Sequence, residues 1–449
     1  MDLLTTIPAF LVAIGLLIVV HELGHFWMAR WCGVKVLRFS VGFGRPIARW
    51  VRGHDQTEWV IAAVPFGGYV KMLDERESES GPIDPAELPR AFNRQSVARR
   101  SAIVVAGPMA NLLFAVLIYT VLNMTGITDL KAVVGQPEAG TPAAVAGLAE
   151  GDVVVRVDGR PVQSWGDLRW SLLQEAADRG SPQLVVRNPS GAERTVTLDL
   201  SQADTDRFDN DWFRHIGVRL ADPEPIVREL VPGNPAERAG LQAGDRILAI
   251  GTDDVKSAGD VTRLVQAAPL RPLQFRIERA RQPMQLQITP IEVEVSGKHV
   301  GRIGASLGLI DTVTVRYGPI AALQHAVDKT WETSTFSLRM LGRMIMGRAS
   351  LKNLSGPVMI AEVAGQSARV GLLPYLNFLA LVSISLGVLN LLPVPVLDGG
   401  HLLYYVIEVV TGSPPSAKSL EMGQRLGIGL LVILTALALY NDLTGLLFQ

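Results

Sequence analysis

The segment from Ile7 to His25, IPAFLVAIGLLIVVHELGH, decides how the rest of the chain is interpreted. Its part from Ile7 to Val20 carries no charged side chain, and the whole segment approaches the length of about 20 residues that a membrane-spanning helix needs. The motif His21-Glu22-Leu23-Gly24-His25 closes this apolar run. Ionisable groups at membrane depth are costly and are usually functional. We therefore expect a membrane helix that ends in a functional site.

The spacing of the two histidines indicates a metal site. His21 and His25 are four residues apart, so on a helix both imidazoles project from one face, and Glu22 lies beside them. Two neutral imidazoles bind Zn²⁺, and the carboxylate can take a proton from water at the metal. In a soluble chain this short pattern also occurs by chance. Here the chance interpretation would leave three uncompensated polar groups in lipid, so we predict a zinc site.

Composition supports a membrane protein with attached soluble domains. Of the 449 residues, 48% are hydrophobic even without glycine, and the mean hydropathy is +0.26, values that together exceed those of a typical soluble protein. The net charge of −1 gives no indication of nucleic-acid binding. The single cysteine, Cys32, excludes an internal disulfide. A secretory signal peptide is the alternative for the first apolar run, but a basic region before it and a cleavage site after it are both missing, so we predict a retained helix.

Four segments are apolar enough to span a bilayer, and their flanking charges predict an orientation. They are Ile7–Phe26, Ile103–Leu122, Leu372–Leu392 and Leu426–Tyr440. Basic residues follow the first span and precede the second: Arg30, Lys35, Arg38, Arg45, Arg49, Arg94, Arg99 and Arg100. The positive-inside rule places the loop 27–100 in the cytoplasm. Both termini and the long segment between the second and third spans then lie outside.

The long segment between the second and third spans contains an internal repeat. PAAVAGLAEGDVVV from Pro142 matches PAERAGLQAGDRIL from Pro235, an offset of domain size. We predict strands at Val153–Val157 and Ile247–Ile250, each followed by a helix, near 167–177 and 260–267. The Gly-Leu-x-x-Gly-Asp pattern resembles the circularly permuted PDZ domains of bacterial proteases. Such repeats either capture peptides by strand addition or act as spacers, and the sequence leaves both open.

The loop between the first two spans holds two apolar, glycine-rich strands. FSVGFG at Phe39–Gly44 and WVIAAVPFGGYV at Trp59–Val70 are joined by a polar turn through residues 52–55. A solvated hairpin is one interpretation. Apolar residues at nearly every position favour a sheet that dips into the membrane, where an extended substrate could satisfy its edge. Further along, residues 321–346 predict an amphipathic helix that either lies on the membrane surface or packs on the second repeat.

A catalytic zinc ion needs a third protein ligand, and Asp398 is the candidate. It lies near the end of the run NLLPVPVLDGGH from Asn390 to His401, just after the third span. A carboxylate at this depth is costly unless it binds a cation or pairs with a base. Pro393 and Pro395 break the helix, and the glycines that follow allow close approach of the backbone. His401 is an alternative ligand, and a helix-capping role is the alternative for Asp398.

These motifs together resemble the site-2 protease family of intramembrane metalloproteases. HELGH in the first span, GPMAN at Gly107–Asn111, the paired repeats and NLLPVPVLDGGH carry the resemblance across essentially the whole chain. It implies a polytopic α-helical membrane protein of four spans with a membrane-reentrant β-hairpin and two periplasmic PDZ domains. It also implies Zn²⁺ held by His21, His25 and Asp398, with Glu22 as general base and Asn390 contacting the substrate or the oxyanion. The role of Asn111 stays open, with core packing as one choice. The implied substrate-binding residues are Phe39, Val41, Gly42, Phe43, Gly44, Phe66, Gly67, Gly68 and Tyr69.

The resemblance also implies a function and a place for it. The expected activity is cleavage of the transmembrane segments of single-pass proteins, namely an anti-sigma factor after a first periplasmic cut and remnant signal peptides, with the PDZ domains filtering substrate size. The site would lie toward the cytoplasmic side of a bacterial inner membrane. Expected regions are 1–126 (first two spans and hairpin), 127–221 and 222–310 (PDZ domains), 311–371 (membrane-proximal linker) and 372–449 (last two spans). A non-catalytic scaffold that binds periplasmic C-termini and a zinc transporter are the rival functions.

Overall fold

The computed structural model forms two compact units that we describe separately. The helical unit is Met1–Ile127 with Arg316–Gln449, and the repeat unit is Thr128–Val315. The structure describes residues 3–75, 83–177, 180–201, 210–295, 298–308, 312–347, 350–351 and 356–447.

The helices and strands are numbered in chain order. The helices are α1 (Leu3–Trp31), α2 (Val97–Thr125), α3 (Pro142–Val145), α4 (Trp165–Ala177), α5 (Asn210–His215), α6 (Pro235–Arg238), α7 (Ala258–Gln266), α8 (Pro319–Ile345), α9 (Pro357–Val370), α10 (Leu372–Asn390), α11 (Asp398–Thr411) and α12 (Ala417–Leu447). The strands are β1 (Val36–Arg52), β2 (Thr57–Met72), β3 (Ile127–Leu130), β4 (Val153–Val157), β5 (Arg160–Pro161), β6 (Gln183–Arg187), β7 (Glu193–Thr197), β8 (Val227–Leu230), β9 (Arg246–Ile250), β10 (Asp253–Asp254), β11 (Leu273–Arg279), β12 (Gln282–Ile288), β13 (Ile291–Val295), β14 (Lys298–Arg302), β15 (Ala305–Leu307) and β16 (Thr312–Val315).

Four of these helices are long and apolar enough to cross a membrane. The qualifying stretches lie in α1, α2, α10 and α12, at Leu4–Trp31, Val97–Thr125, Leu372–Asn390 and Lys418–Thr444. They confirm the four spans expected from hydropathy, and each helix except α10 extends beyond the apolar run that predicts it. Many large apolar side chains on these helices stay exposed, for example Leu113, Leu117 and Val432 at 62%, 59% and 62%. That exposure suits helices whose outer faces meet lipid.

Helices α1 and α2 pack closely because glycine lies at their contact. A Cβ atom added to Gly24 of α1 would come within 2.3 Å of the Ala106 carbonyl oxygen and 2.8 Å of the Ala110 Cβ. Small residues at such positions let helix backbones approach in membranes. The same interface buries Leu17 and Leu122 completely. Helix α10 completes this core with buried apolar side chains that include Ile384.

Strands β1 and β2 form a long antiparallel hairpin beside α1. Residues 36–41 of β1 pair with residues 68–72 of β2, and residues 38–41 also pair on their other side with residues 58–61. Residues 57–61 pair in turn with residues 48–52, so the two long strands fold over into four paired segments. Both strands extend beyond the predicted apolar stretches. The inner face packs on α1, where the rings of Phe26, Phe39 and Trp59 lie within 5.7 Å of one another, centroid to centroid. Away from this contact the hairpin leaves large apolar side chains exposed: Phe43, Ile47, Trp50, Val51, Ile61 and Val64.

The repeat unit contains two similar sheets, one from each sequence repeat. Their strand orders are β5-β4-β6-β7 and β10-β9-β11-β12, which place corresponding strands in corresponding positions. In both repeats the aspartate of the Gly-Asp motif is buried and accepts a backbone N–H three residues earlier, Asp152 from Ala149 and Asp245 from Gln242, at 2.8 Å. Each aspartate also pairs with an arginine, Arg194 or Arg279. The motif is therefore a turn whose buried aspartate is held by a backbone N–H and a partly exposed arginine.

The pairing in the second repeat makes its stability depend on pH. Burial alone would raise the pKa of the Asp245 carboxyl, but the hydrogen bonds from the Arg279 guanidinium and the Gln242 amide outweigh it and lower the pKa below the usual value. Because the pKa is lower in the folded state than in the unfolded chain, the ionised Asp245 carboxylate stabilises the fold at pH values above the ordinary carboxyl pKa. That stabilisation is lost as the pH falls through the lowered value.

Helices α8 and α9 belong to the helical unit. The sequence left open whether the helix at 321–346 lies on the membrane or packs on the second repeat. In the structure, α8 packs on α2 and α10, and Asn123 of α2 donates a hydrogen bond to the Ala322 carbonyl at 3.2 Å. The start of α9 is capped by Asp442 of α12, which is 3% exposed and accepts three backbone N–H groups, from Gly356, Val358 and Met359.

We expect Gly24→Ala to destabilise the helical unit by about 1–3 kcal/mol, because the new methyl group has no space against α2. Gly15→Ala is the matched control, since Gly15 lies on the same helix and has no atom within 4 Å of an added Cβ. Alanine there should leave stability unchanged or raise it slightly through helix propensity. The thermal unfolding midpoint of the purified protein in detergent measures both. Equal shifts in the two variants would contradict the close packing of α1 on α2.

Candidate metal centre

Three donor atoms from two distant parts of the chain converge beside the C-terminal half of α1. The Nε2 atoms of His21 and His25 are 3.2 Å apart. Oδ2 of Asp398, the first residue of α11, lies 3.2 Å from Nε2 of His21 and 3.4 Å from Nε2 of His25. Within the described ranges, these three residues are the group of His, Cys, Asp or Glu side chains close enough to share a metal ion.

The distances among the three donors fit zinc. Ligand atoms at about 2.0–2.1 Å from a tetrahedral zinc ion lie about 3.4 Å from one another, which is the spacing seen here. Oδ2 of Asp398 is buried and accepts no hydrogen bond, so a cation would satisfy it. Asp398 does not act as the helix cap that the sequence left open, because Leu397 is the N-cap of α11 and no side chain caps it. The donors fit Zn²⁺ and leave a fourth position for water or substrate.

The backbone of α2 fixes which nitrogen of His25 is available. Nδ1 of His25 lies 2.8 Å from the carbonyl oxygen of Ile103, which can only accept, so Nδ1 carries the hydrogen and donates it. Nε2 then keeps its lone pair and faces the other two donors. Gly107, one turn after Ile103, makes room for this ring, since an added Cβ would lie 2.2 Å from Nε2 of His25. The glycine of the GPMAN motif therefore serves the metal site.

A sharp connection between α10 and α11 brings Asp398 to the histidines. Residues 391–397 form this connection, and Pro393 and Pro395 prevent a continuous helix. Added Cβ atoms on Gly399 and Gly400 would lie 2.1 and 2.4 Å from the Leu392 and Val394 carbonyl oxygens, so the first turn of α11 folds directly against the connection. Val396 has a positive φ of 91°, which is strained for a β-branched residue.

The three donors open onto one cavity of about 820 Å³ that also holds most of the other predicted residues. Glu22, which is 8% exposed, and Asn390, the last residue of α10, line it. So do Gly67, Gly68 and Tyr69 of β2 and Phe43 of β1. Gly68 passes so close to α1 that an added Cβ would lie 3.0 Å from Cγ of Glu22. The hairpin, the carboxylate and the metal donors thus form one site.

Three other residues predicted to bind substrate, Val41, Gly42 and Gly44, lie on β1 and are not among the described residues that line the cavity. Phe66 is part of β2, but its side chain lies outside the described part of the chain. Phe39 is 3% exposed and packs on Phe26 and Trp59, so the structure places it in the core beneath the hairpin. Its apolar character alone could not separate these two roles. His401 lines the cavity but is not one of the converging donors.

An ion pair at the cavity wall was not predicted from the sequence. Nη2 of Arg100 on α2 donates to Oε1 of Glu408 on α11 at 2.6 Å, and both side chains are mostly buried, at 11% and 16% exposure. The Arg100 guanidinium also lies over the Tyr405 ring. The pair ties α11, the helix that begins with Asp398, to α2. In the sequence, Arg100 contributes only to the predicted orientation, and no local pattern marks its partner 308 residues later.

Comparisons with known proteins agree with this site. The family model for Peptidase family M50 matches residues 9–434. A relative from Ralstonia nicotianae, whose name describes a candidate zinc metalloprotease, is 44% identical over 98% of both chains. The regulator of sigma-E protease RseP from Escherichia coli is 40% identical over 99% of this chain and all of its own length. Protease RseP from Yersinia pestis is 41% identical over the same shares.

Among solved structures, a PDZ domain of an SdrC-like protein from Listeria monocytogenes is similar to 20% of this chain, over 93% of that domain, at 20% identity and a TM-score of 0.17. That score supports no conclusion. The family match and the full-length relatives do, because they cover the metal donors, the spans and the repeats alike. The chain belongs to peptidase family M50, the site-2 protease family, and is a multi-pass membrane zinc metalloprotease.

Proposed function

We propose that this chain cleaves peptide bonds within the transmembrane segments of single-pass membrane proteins. The convergence of His21, His25 and Asp398 at 3.2–3.4 Å, on helices apolar enough to lie in a bilayer, carries the proposal. These residues would hold zinc. When bound, the ion would polarise the scissile carbonyl and acidify the attacking water.

The remaining groups of the cavity have separate tasks. Glu22 accepts a proton from the attacking water and later delivers it to the leaving amine. Asn390 is a neutral donor to the oxygen that becomes negative when the peptide carbon is attacked. Both line the cavity with the three donors, and Glu22 is buried, so its carboxylate works away from bulk water.

The hairpin would present the substrate. A transmembrane helix hides its peptide bonds in hydrogen bonds to residues four positions away, so it must unwind before cleavage. Residues 68–72 of β2 pair on one side with residues 36–41 of β1, and Gly68 runs past Glu22. The other side of this segment can add an extended peptide beside the site. The exposed apolar side chains of the hairpin support a membrane-reentrant position.

The repeats would be two periplasmic PDZ domains that filter substrates by size. Their matching strand orders and shared Gly-Asp turns support this assignment. Several relatives are named for sigma-E regulation. We therefore infer that the substrates include an anti-sigma factor already trimmed on its periplasmic side, and remnant signal peptides. The site would lie toward the cytoplasm of a bacterial inner membrane, since His21 and His25 are near the end of α1 that leads into the basic loop.

Glu22→Gln should retain zinc and lose about 10²–10⁴-fold of the cleavage rate, because the amide cannot take a proton. The measurement is cleavage of a tagged single-pass substrate without its periplasmic domain, with zinc content assayed in the same preparations. Glu421→Gln is the control, since Glu421 is an exposed residue of α12 that pairs with Arg425. Full activity of the Glu22→Gln variant would exclude Glu22 as the base.

Substrates with glycine or proline near the scissile bond should be cut faster than substrates with a leucine-only span, because these residues lower the free energy needed to unwind the helix there. Substrates with the same glycine or proline placed two turns away from the scissile bond serve as the control, since they have the same composition with the helix-breaking residue at another position. Rates independent of position would count against unwinding at the site and against strand addition to β2.

Replacing residues 128–315 with a short flexible linker should let the protein cut untrimmed substrate. The helical unit keeps the ends of this deletion together, since Tyr317 N–H donates to the Asn123 carbonyl at 3.0 Å and Nε of Arg316 donates to the Thr125 carbonyl at 2.8 Å. Cleavage of trimmed substrate by the same variant shows that the site is intact. A variant as selective as wild type would contradict the size filter.

A further inference from the structure

Two stripes of facing residues define how α1 and α2 meet at the metal centre. On α2, Ile103, Gly107 and Asn111 follow one another at intervals of one turn and share a face. On α1, His25 and His21 are also one turn apart. His25 contacts Ile103 and Gly107, and His21, one turn earlier on α1, contacts Asn111, one turn later on α2. Each histidine therefore has a polar partner on α2: the Ile103 carbonyl for His25 and the Asn111 side chain for His21.

The contact between Asn111 and His21 depends on which way the amide faces. As placed, Nδ2 of Asn111 is 3.3 Å from Nδ1 of His21, while Oδ1 of Asn111 is buried and accepts no hydrogen bond. An amide N–H can donate only to a bare Nδ1, which would leave the imidazole hydrogen on Nε2. Nε2 is the atom that faces Asp398 and His25, so that tautomer could not bind a metal there.

Rotating the amide by half a turn removes this conflict, because its nitrogen and oxygen have nearly the same shape. Oδ1 then accepts the hydrogen of Nδ1, and Nε2 of His21 keeps its lone pair. We propose that Asn111 is a positioning residue for zinc binding: its carboxamide oxygen fixes the tautomer and the orientation of His21. Such partners of metal-bound histidines set ligand basicity and ring orientation. The proposal rests on the zinc ligands of the proposed function.

The surroundings of Asn111 hold it in place for this role. The residue has no exposed surface, and its backbone carbonyl accepts the hydroxyl of Ser383 on α10 at 2.7 Å. Ser383 is also fully buried. The backbone at 111 is thus tied to a second spanning helix while the side chain faces His21. An asparagine that only filled space would leave its buried amide without this partner, which is the costly arrangement.

The test compares zinc affinity among four variants of the full-length protein, measured by competition with a chromogenic chelator. Asn111→Leu has nearly the same shape and cannot accept a hydrogen bond, so affinity should fall about 10–100-fold. Asn111→Asp keeps an acceptor and should bind zinc more tightly than the leucine variant, by about tenfold or more. Asn123→Leu removes another amide of α2, one that donates to Ala322, and should leave affinity unchanged. His21→Ala should lose zinc most.

Each result has a definite meaning when unfolding midpoints of the metal-free variants are measured alongside. Unchanged affinity in Asn111→Leu, with loss in His21→Ala, would overturn the role of Asn111 and leave the ligand set intact. Unchanged affinity in His21→Ala would overturn the ligand set itself. If Asn111→Asp does not fold, the visible spectra of cobalt-loaded wild type and Asn111→Leu decide instead. Altered bands in the leucine variant would support the proposal, and superimposable bands with equal affinity would overturn it.

Discussion

The helical unit is organised around the cost of burying an ionisable cluster between apolar helices. Two imidazoles and two carboxyl groups, from His21, His25, Glu22 and Asp398, lie at one end of α1 with little exposure. Isolated charges are costly in such a place, and a shared cation would make the cluster favourable. The helix contacts, the broken connection before α11 and the approach of β2 all bring groups to this point.

Glycine determines how closely those groups can approach. Gly24 lets α1 and α2 touch, Gly107 admits the His25 ring, and Gly68 lets β2 pass over Glu22. Each position faces a different partner, but all three remove a side chain that would push apart two elements of the site. The sequence shows these glycines only as members of motifs. Their partners become visible when the register between the elements is known.

The sequence predicts the candidate reacting groups better than the residues that hold those groups in position. The i, i+4 spacing of His21 and His25 and the costly position of Asp398 are local signals, so the metal donors follow from residue chemistry. The repeat was equally readable, and β4 has the predicted bounds, Val153–Val157. In contrast, the Arg100–Glu408 pair and the Ile103 carbonyl depend on tertiary contacts that no local pattern encodes. Phe39 shows the same limit, since an apolar strand residue can face either substrate or core.

The position of Asp398 couples metal binding to the packing of the last part of the chain. The histidines precede the repeat unit and Asp398 follows it, so the site forms only when α11 docks on α1 and α2. The connection that delivers Asp398 includes the strained Val396, and such strain costs about 1–3 kcal/mol. The Arg100–Glu408 pair and the close fit of Gly399 and Gly400 oppose that cost. Zinc bound by all three residues adds its binding free energy to the same side. The ion would then stabilise the docked α11 as well as supply the chemistry, because the third ligand is available only in the docked arrangement.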